Sequence, residues 1–312
     1  MDNAGHIPVM VEEALAYLAP RPGGVYVDCT IGAGGHASRI AAALGPAGRL
    51  IGLDRDPAAL RAAEERLRGV APRVDLARAN FARLGAVLSQ LDTGPVDGLL
   101  ADFGLSSMQL DDAARGFSFA AGGPLDMRMD PSQELTAEQV VNQFGEQELA
   151  DLIFQYGEER RSRRIARAIV RSRPLRTTAE LAGVIAAVAR PMSRGGASRR
   201  SRGPHPATRA FQALRIFVNQ ELDHIAAWLA QVPQWLAAGG RVVTIAFHSL
   251  EDRPVKQSFQ ALARQGVYEL LTPHVVHPTL AEVAANPRAR SARLRACRRQ
   301  NRALRETPPA AA

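Results

Sequence analysis

The chain has 312 residues, 46% of them apolar, and its 39 basic and 31 acidic side chains leave a net charge of +8. That apolar content excludes a wholly disordered chain, and no run approaches the roughly 20 apolar residues that span a bilayer. Two cysteines, Cys29 and Cys297, are too few for a disulfide scaffold or a four-thiolate zinc site. The start, Met1-Asp2-Asn3-Ala4-Gly5-His6, lacks the basic and apolar blocks of a secretion signal, so a reducing cytoplasm is the expected location. Charge is unevenly placed. Residues 1–157 carry 12 arginines against 21 acids, a net of −9, whereas residues 158–312 carry 26 arginines and Lys256 against 10 acids, a net of +17. An acidic half joined to a strongly basic one points to a polyanionic partner, nucleic acid first.

From residue 25 to 102 the pattern alternates strand with helix. Val25-Tyr26-Val27-Asp28-Cys29 and Leu50-Ile51-Gly52-Leu53-Asp54 are short apolar runs closing on an acid. Residues 74–79 and 96–102 complete four strands, and Pro57 opens a helix over 58–68, where its missing amide hydrogen costs no intrahelical bond. Strands alternating with helices imply a parallel sheet covered on both faces. After Asp102 the rhythm breaks. Residues 103–133 are turn-rich, and helices follow, marked by the capping-box spacings Thr136/Gln139 and Thr177/Glu180. Helices are expected over 146–156 and 158–172. The second aligns Arg160, Arg164, Arg167 and Arg171 on one face and Ile165 and Ile169 on another. The Gly/Ser/Arg-rich stretch 193–204 reads as a loop. A long helical stretch containing 211–229 precedes strands at 241–247, 267–271 and 291–297. The expected architecture is an α/β domain interrupted by a helical insertion at 108–205 and completed over 206–312.

The segment Asp28-Cys29-Thr30-Ile31-Gly32-Ala33-Gly34-Gly35-His36 ends the first strand and opens a helix. Glycines there let a ligand approach the backbone, and the helix start offers unpaired amides. Asp54, at the end of the second strand, can accept both hydroxyl hydrogens of a ribose. Two cofactors fit. Gly32 to Ala37 satisfies the dinucleotide pattern G-x-G-x-x-A, while the longer D-x-x-x-G-x-G-G suits S-adenosylmethionine, with Asp28 helping to hold its cationic end. Asn80-Phe81 follows the third strand, where a ring can cover an adenine face, and Asp102 ends the fourth. All these positions lie at strand carboxyl ends, where open α/β sheets bind ligands. The seven histidines show no ligand spacing, so no metal is expected.

Further motifs extend the pattern: His6-Ile7-Pro8-Val9-Met10, Asp54-Arg55-Asp56-Pro57, the run from Asp102-Phe103-Gly104-Leu105-Ser106-Ser107-Met108-Gln109 to Asp112, and Arg115-Gly116-Phe117-Ser118-Phe119. Gly123-Pro124-Leu125-Asp126-Met127-Arg128-Met129-Asp130, Tyr156-Gly157-Glu158-Glu159-Arg160 and His205-Pro206-Ala207-Thr208-Arg209 follow. Phe247-His248-Ser249-Leu250-Glu251-Asp252-Arg253 and Asn286-Pro287-Arg288-Ala289-Arg290-Ser291 complete the set. Together they resemble the MraW (RsmH) family of bacterial methyltransferases, which modify N4 of a cytidine in 16S ribosomal RNA of the small subunit. The resemblance implies a class I S-adenosylmethionine-dependent, Rossmann-like α/β fold with an inserted all-helical domain, divided at 1–107, 108–205 and 206–312. It also implies donor contacts from Gly34, Gly35, His36, Asp54, Phe81, Asp102 and Gln109. His36 and Gln109 enter on the resemblance alone. The sequence departs from the family at Cys29, where relatives often carry Gly, and in the Arg-rich 193–204 stretch, which is longer here.

An exocyclic cytosine amine is a poor nucleophile, because its lone pair is delocalised into the ring. A site must accept hydrogen bonds from N4–H and hold the nitrogen about 3 Å from the methyl carbon. Many amino-methyltransferases place an Asp/Asn/Ser-Pro-Pro-aromatic loop after the fourth strand; here Asp102-Phe103-Gly104-Leu105 stands there, and Asp102 is the expected catalytic residue. His248-Ser249, at the end of a later strand, are candidates for the target base or its phosphate. Arg288, Arg290, Arg293 and Arg295 are the expected C-terminal RNA contacts, on a strand with one apolar and one basic face. A dinucleotide-dependent oxidoreductase and a non-catalytic RNA-binding factor are the competing classes.

Overall fold

A computed structural model describes residues 8–120, 122–189 and 205–301, so the 193–204 loop lies outside the described residues. The chain divides into two compact units, Met1–Gly104 with Leu222–Ala312, and Leu105–Glu221. The first begins with α1 (Val11–Leu18), β1 (Val25–Asp28), α2 (Gly35–Leu44), β2 (Arg49–Asp54), α3 (Pro57–Arg66), β3 (Arg73–Arg78), α4 (Leu84–Gln90) and β4 (Val96–Asp102). These strands fall within a residue of the expected ones. Pro57 stands in the first turn of α3, and the Asp56 side chain accepts from the Ala58 amide at 2.9 Å, satisfying one of the donors that a helix start leaves open.

The helical unit contains α5 (Ser107–Asp111), α6 (Ala137–Gln143), α7 (Glu146–Gly157), α8 (Ser162–Arg171), α9 (Thr178–Ala189) and α10 (Thr208–Asn219). Both expected capping boxes form: Thr136 Oγ1 accepts from the Gln139 amide at 3.2 Å, and Thr177 Oγ1 accepts from the Glu180 amide at 3.2 Å. The turn-rich stretch before α6 is held by polar side chains. Arg115 donates to the Arg128 and Met129 carbonyls, each at 2.9 Å, while Asn219 accepts from the Met129 amide and donates to the Met127 carbonyl. Leu149, Ile153, Ile165, Ile169, Leu181, Ile185, Phe211 and Leu214 form this unit's core. Because α10 contributes Phe211, Leu214 and Val218 to it, the unit extends to Glu221 where the sequence suggested 205. The helix expected from 158 starts only at Ser162. A Cβ on Gly157 would lie 2.6 Å from the Arg209 carbonyl oxygen, so α7 and α10 approach closely there, and Glu158 turns the chain with φ 49°. Arg160 therefore precedes α8, which carries Arg164, Arg167 and Arg171 on its exposed face.

The α/β unit resumes with α11 (Glu221–Trp235), β5 (Leu236–Ala246), α12 (Ser249–Arg264), β6 (Tyr268–Leu270), α13 (Leu280–Ala285) and β7 (Arg293–Arg299). The long helical stretch is split at Gln220, whose φ is 49°. β5 begins earlier than the apolar run suggested, because Leu236 pairs with Val96 across a register shift before Gly98 meets Arg241. Seven strands lie in the order β3-β2-β1-β4-β5-β7-β6; β1 to β5 are parallel, and β7 is antiparallel to both its neighbours. Alternate side chains feed two cores. Tyr26, Leu50, Leu100 and Val243 pack with Ile40 and Leu44 of α2, while Val27, Ile51, Leu99 and Val242 pack with Leu84, Leu88 and Trp228. Among the described residues no helix is long and apolar enough to cross a membrane.

One expected RNA contact is corrected by this packing. Arg295 lies within the sheet, 8% exposed, and its guanidinium grips both carboxylate oxygens of Asp252 at 2.6 and 2.9 Å. It ties β7 to α12. Removing one partner of such a pair leaves the other uncompensated. Arg295→Ala should therefore lower the unfolding free energy by about 3 kcal/mol, whereas Arg293→Ala should change it by less than about 0.5 kcal/mol. Denaturant unfolding of both variants checks this.

Candidate active site

The sheet's register fixes the site. β2, β1 and β4 are neighbours, and Asp28 stands level with Gly52 on one side and Leu100 on the other. Asp54 and Asp102 each lie two residues further along, about 7 Å beyond, and the even offset keeps all three carboxylates on the same side of the sheet. Asp28 is fully buried, and its Oδ1 accepts from the Thr30 amide at 3.2 Å. Burial pushes its carboxyl up to about 7; the Thr30 amide opposes this, and the charge on Asp54 adds to it. Asp54 accepts from the Asp56 amide at 2.9 Å and from the Gly32 amide at 3.0 Å, yet its burial outweighs both and its carboxyl is also raised. Asp102 is raised well above the usual carboxylate range, by burial first and then by Asp28 and Glu251. Its amide donates to Thr30 Oγ1 at 2.7 Å, and its Oδ1 is enclosed with no hydrogen-bond partner among the described residues.

The glycine turn lies beside these acids. Gly34 has φ 79° and precedes α2, a conformation that a side chain would strain. A Cβ on Gly35 would lie 2.8 Å from Pro8 Cγ, so the turn and the amino-terminal segment can meet only without a side chain there. His36 is buried on α2, with Nε2 2.9 Å from the Val9 carbonyl oxygen, which makes Nε2 the protonated nitrogen at that contact. It anchors the same amino-terminal segment. Phe81, half-buried past β3, places its ring 5.6 Å from Phe103 and 6.4 Å from His224. Asn80 fixes its approach by accepting from the Ala82 amide at 2.9 Å.

Two expected residues have local partners. Gln109 lies in the helical unit, where it completes a capping box at the start of α5. Its amide donates to Ser106 Oγ, and its Oε1 accepts from the Ser106 amide, each at 3.2 Å. The spacing Ser106-x-x-Gln109 carries that signal in the sequence. His248 caps α12: Nδ1 accepts from the Glu251 amide at 3.3 Å, and Nε2 lies 3.0 Å from Glu251 Oε1. Glu251 is itself fully buried and accepts from the Phe247 amide at 2.7 Å. Its part in raising Asp102 was not visible in the sequence, because the two residues are far apart in the chain.

Three clustered carboxylates, one buried and two partly so, suit a cation and would repel the pyrophosphate of a dinucleotide. With an acid at the end of β2 and a ring past β3, the residues present fit S-adenosylmethionine. This sheet order, with its reversed penultimate strand and acid-tipped ends, is that of the class I S-adenosylmethionine-dependent methyltransferases. The chain belongs to the MraW methylase family, which it matches over residues 3–300. It is 52% identical to the ribosomal RNA small subunit methyltransferase H of Acidobacterium capsulatum, over 96% of this chain and the whole of that one. The protein of the same name from Koribacter versatilis is 53% identical over 96% of each chain. Among solved structures, an rRNA methylase from Streptococcus thermophilus aligns with a TM-score of 0.46 at 10% identity, over 95% of this chain and all of that one.

If Asp54 holds the ribose, Asp54→Ala should raise the dissociation constant for S-adenosylmethionine by about 10- to 100-fold, the range expected for hydrogen bonds to a charged group. Calorimetric titration measures this, with circular dichroism confirming that the turn around Gly32 still folds.

Proposed function

We propose that this chain transfers a methyl group from S-adenosylmethionine to the N4 amine of a cytidine in 16S ribosomal RNA of the bacterial small subunit. Family membership supports methyl transfer to ribosomal RNA. The observation that carries the choice of an amine acceptor is Asp102 at the end of β4, a partly exposed carboxyl whose Oδ1 has no hydrogen-bond partner among the described residues. A buried acceptor with no donor of its own is costly, and an amine N–H directed at it would satisfy it.

When bound, S-adenosylmethionine supplies an electrophilic sulfonium methyl that the attacking nitrogen takes as a neutral thioether leaves. Asp54 holds the ribose hydroxyls, and Phe81 covers the adenine. Gly34 and Gly35 let the ligand approach the helix start, and His36 secures that turn through Val9. Asp28 and Asp102 supply negative charge toward the cationic end. Asp102 also accepts an N4–H hydrogen bond, which draws electron density back onto nitrogen and orients its lone pair. The proton shed after attack passes to this carboxylate and on to water. For Gln109 the proposal rests on the sequence motif alone. The target base is presented out of its stack, since a paired amine edge is unreachable.

Labelled-methyl transfer to unmodified small subunits and to free 16S RNA, with nucleoside analysis, tests the reading. N4-methylcytidine is expected, and label in another nucleoside, or none, would overturn it. Asp102→Ala should lower the single-turnover rate by about 100- to 1,000-fold with a much smaller change in donor affinity. Equal loss of both would remove Asp102 from the chemistry.

A further inference from the structure

We propose that the groove between α8 and α9 is a docking site for the phosphate backbone of RNA, built wholly within the helical unit. The proposal rests on RNA being the substrate. Residues 160–179 contain eight arginines and no acid. α8 buries Ile165, Ala166 and Ile169 in the core of its unit and turns Arg163, Arg164, Arg167 and Arg171 outward. Arg164, Arg167 and Arg171 line one wall of a groove of about 630 Å³, and Gly183, Val184, Ala187 and Val188 of α9 line the other.

Length, charge and surface chemistry agree on the occupant. From Arg164 to Arg171 the helix rises about 10 Å. With one phosphate per roughly 3.4 Å of rise along a strand, that row faces two or three phosphates. Arg164 and Arg171 have no acidic partner among the described residues. Arg167 shares one exposed contact with Glu146 at 3.2 Å, of a kind weak enough to be exchanged. Guanidinium forks match phosphate oxygens in pairs. The opposite wall is apolar, suited to a sugar or an unstacked base face.

Gly183 is a second observation. It stands in the middle of α9, where glycine costs helix stability. Yet a Cβ there would meet nothing within 4 Å, so no neighbour in the chain requires the missing side chain. Its absence keeps the wall beside the arginines open.

The test uses the full chain in two variants, R164A/R171A and G183E. The first removes phosphate contacts; the second fills and charges the groove while replacing a poor helix former with a better one. RNA affinity is measured on 16S RNA across a salt series, alongside donor affinity and methyl transfer at saturating RNA. Both variants should bind RNA about tenfold or more weakly at 100 mM salt. R164A/R171A should also flatten the slope of log affinity against log salt by about 1.5 to 2. Donor affinity and saturated turnover should not change. RNA binding equal to that of the unsubstituted chain in both variants would overturn the proposal and leave the groove to an acidic protein surface. If the unsubstituted chain binds RNA without methylating it, the proposed function fails, while the same binding comparison still decides the groove.

Discussion

Three carboxylates on adjacent strands, one buried and two partly so, are stable as charges only beside a positive group, and the rest of the α/β unit is arranged around that constraint. The register that sets Asp28 level with Gly52 and Leu100 is imposed by the sheet's two apolar cores, since a one-residue slip would turn each strand's buried side chains to the opposite face. The acids thus inherit their geometry from packing. With no cation present the cluster penalises the fold, because burial and neighbouring carboxylates raise each carboxyl above its ordinary range. A sulfonium ligand with an ammonium group relieves that penalty. The glycine turn at Gly34 and Gly35 and the ring of Phe81 line the approach to the same end of the sheet.

Opposite charge serves the other partner, but less of it is free than the sequence suggests. The +17 of residues 158–312 includes many arginines used internally. Arg295 holds Asp252, Arg215 holds Glu221, and Arg298 holds Glu269. Arg173 donates to the Val141 and Phe144 carbonyls, and Arg241 to the Tyr17 carbonyl. The outward row on α8 is different: residues 160–179 contain no acid, and two of its three groove-lining members have no acidic partner among the described residues.

Much of this was legible in the sequence, for identifiable reasons. Apolar runs ending in Asp28, Asp54 and Asp102 mark the strands and the candidate site, because a buried parallel strand reads as a continuous apolar run and open α/β sheets take ligands at strand carboxyl ends. Two capping boxes announced their helices through spacing alone. What stayed hidden depends on contacts distant in the chain. Glu158 and Gln220 adopt left-handed conformations that their residue types do not signal. The face of Arg295 was readable from strand alternation, but its partner in α12 was not, so a structural ion pair looked like an RNA contact. The Ser106/Gln109 cap has a local spacing that lies inside the longer motif from Asp102 to Asp112.

The carboxylate cluster makes a direct demand on the proton count of donor binding. An acid whose carboxyl is raised in the fold carries no charge penalty below its free value near 4 and the full penalty above about 7, so the unliganded chain loses stability over that window. A bound cation favours the ionised form and drives the proton off. Calorimetry of S-adenosylmethionine binding at pH 6.5, in two buffers of different ionisation enthalpy, should therefore show net proton release. Affinity should rise from pH 5.5 to about 7 and then level, and Asp28→Asn should flatten that rise. Binding without proton release, at an affinity constant across this range, would contradict the account.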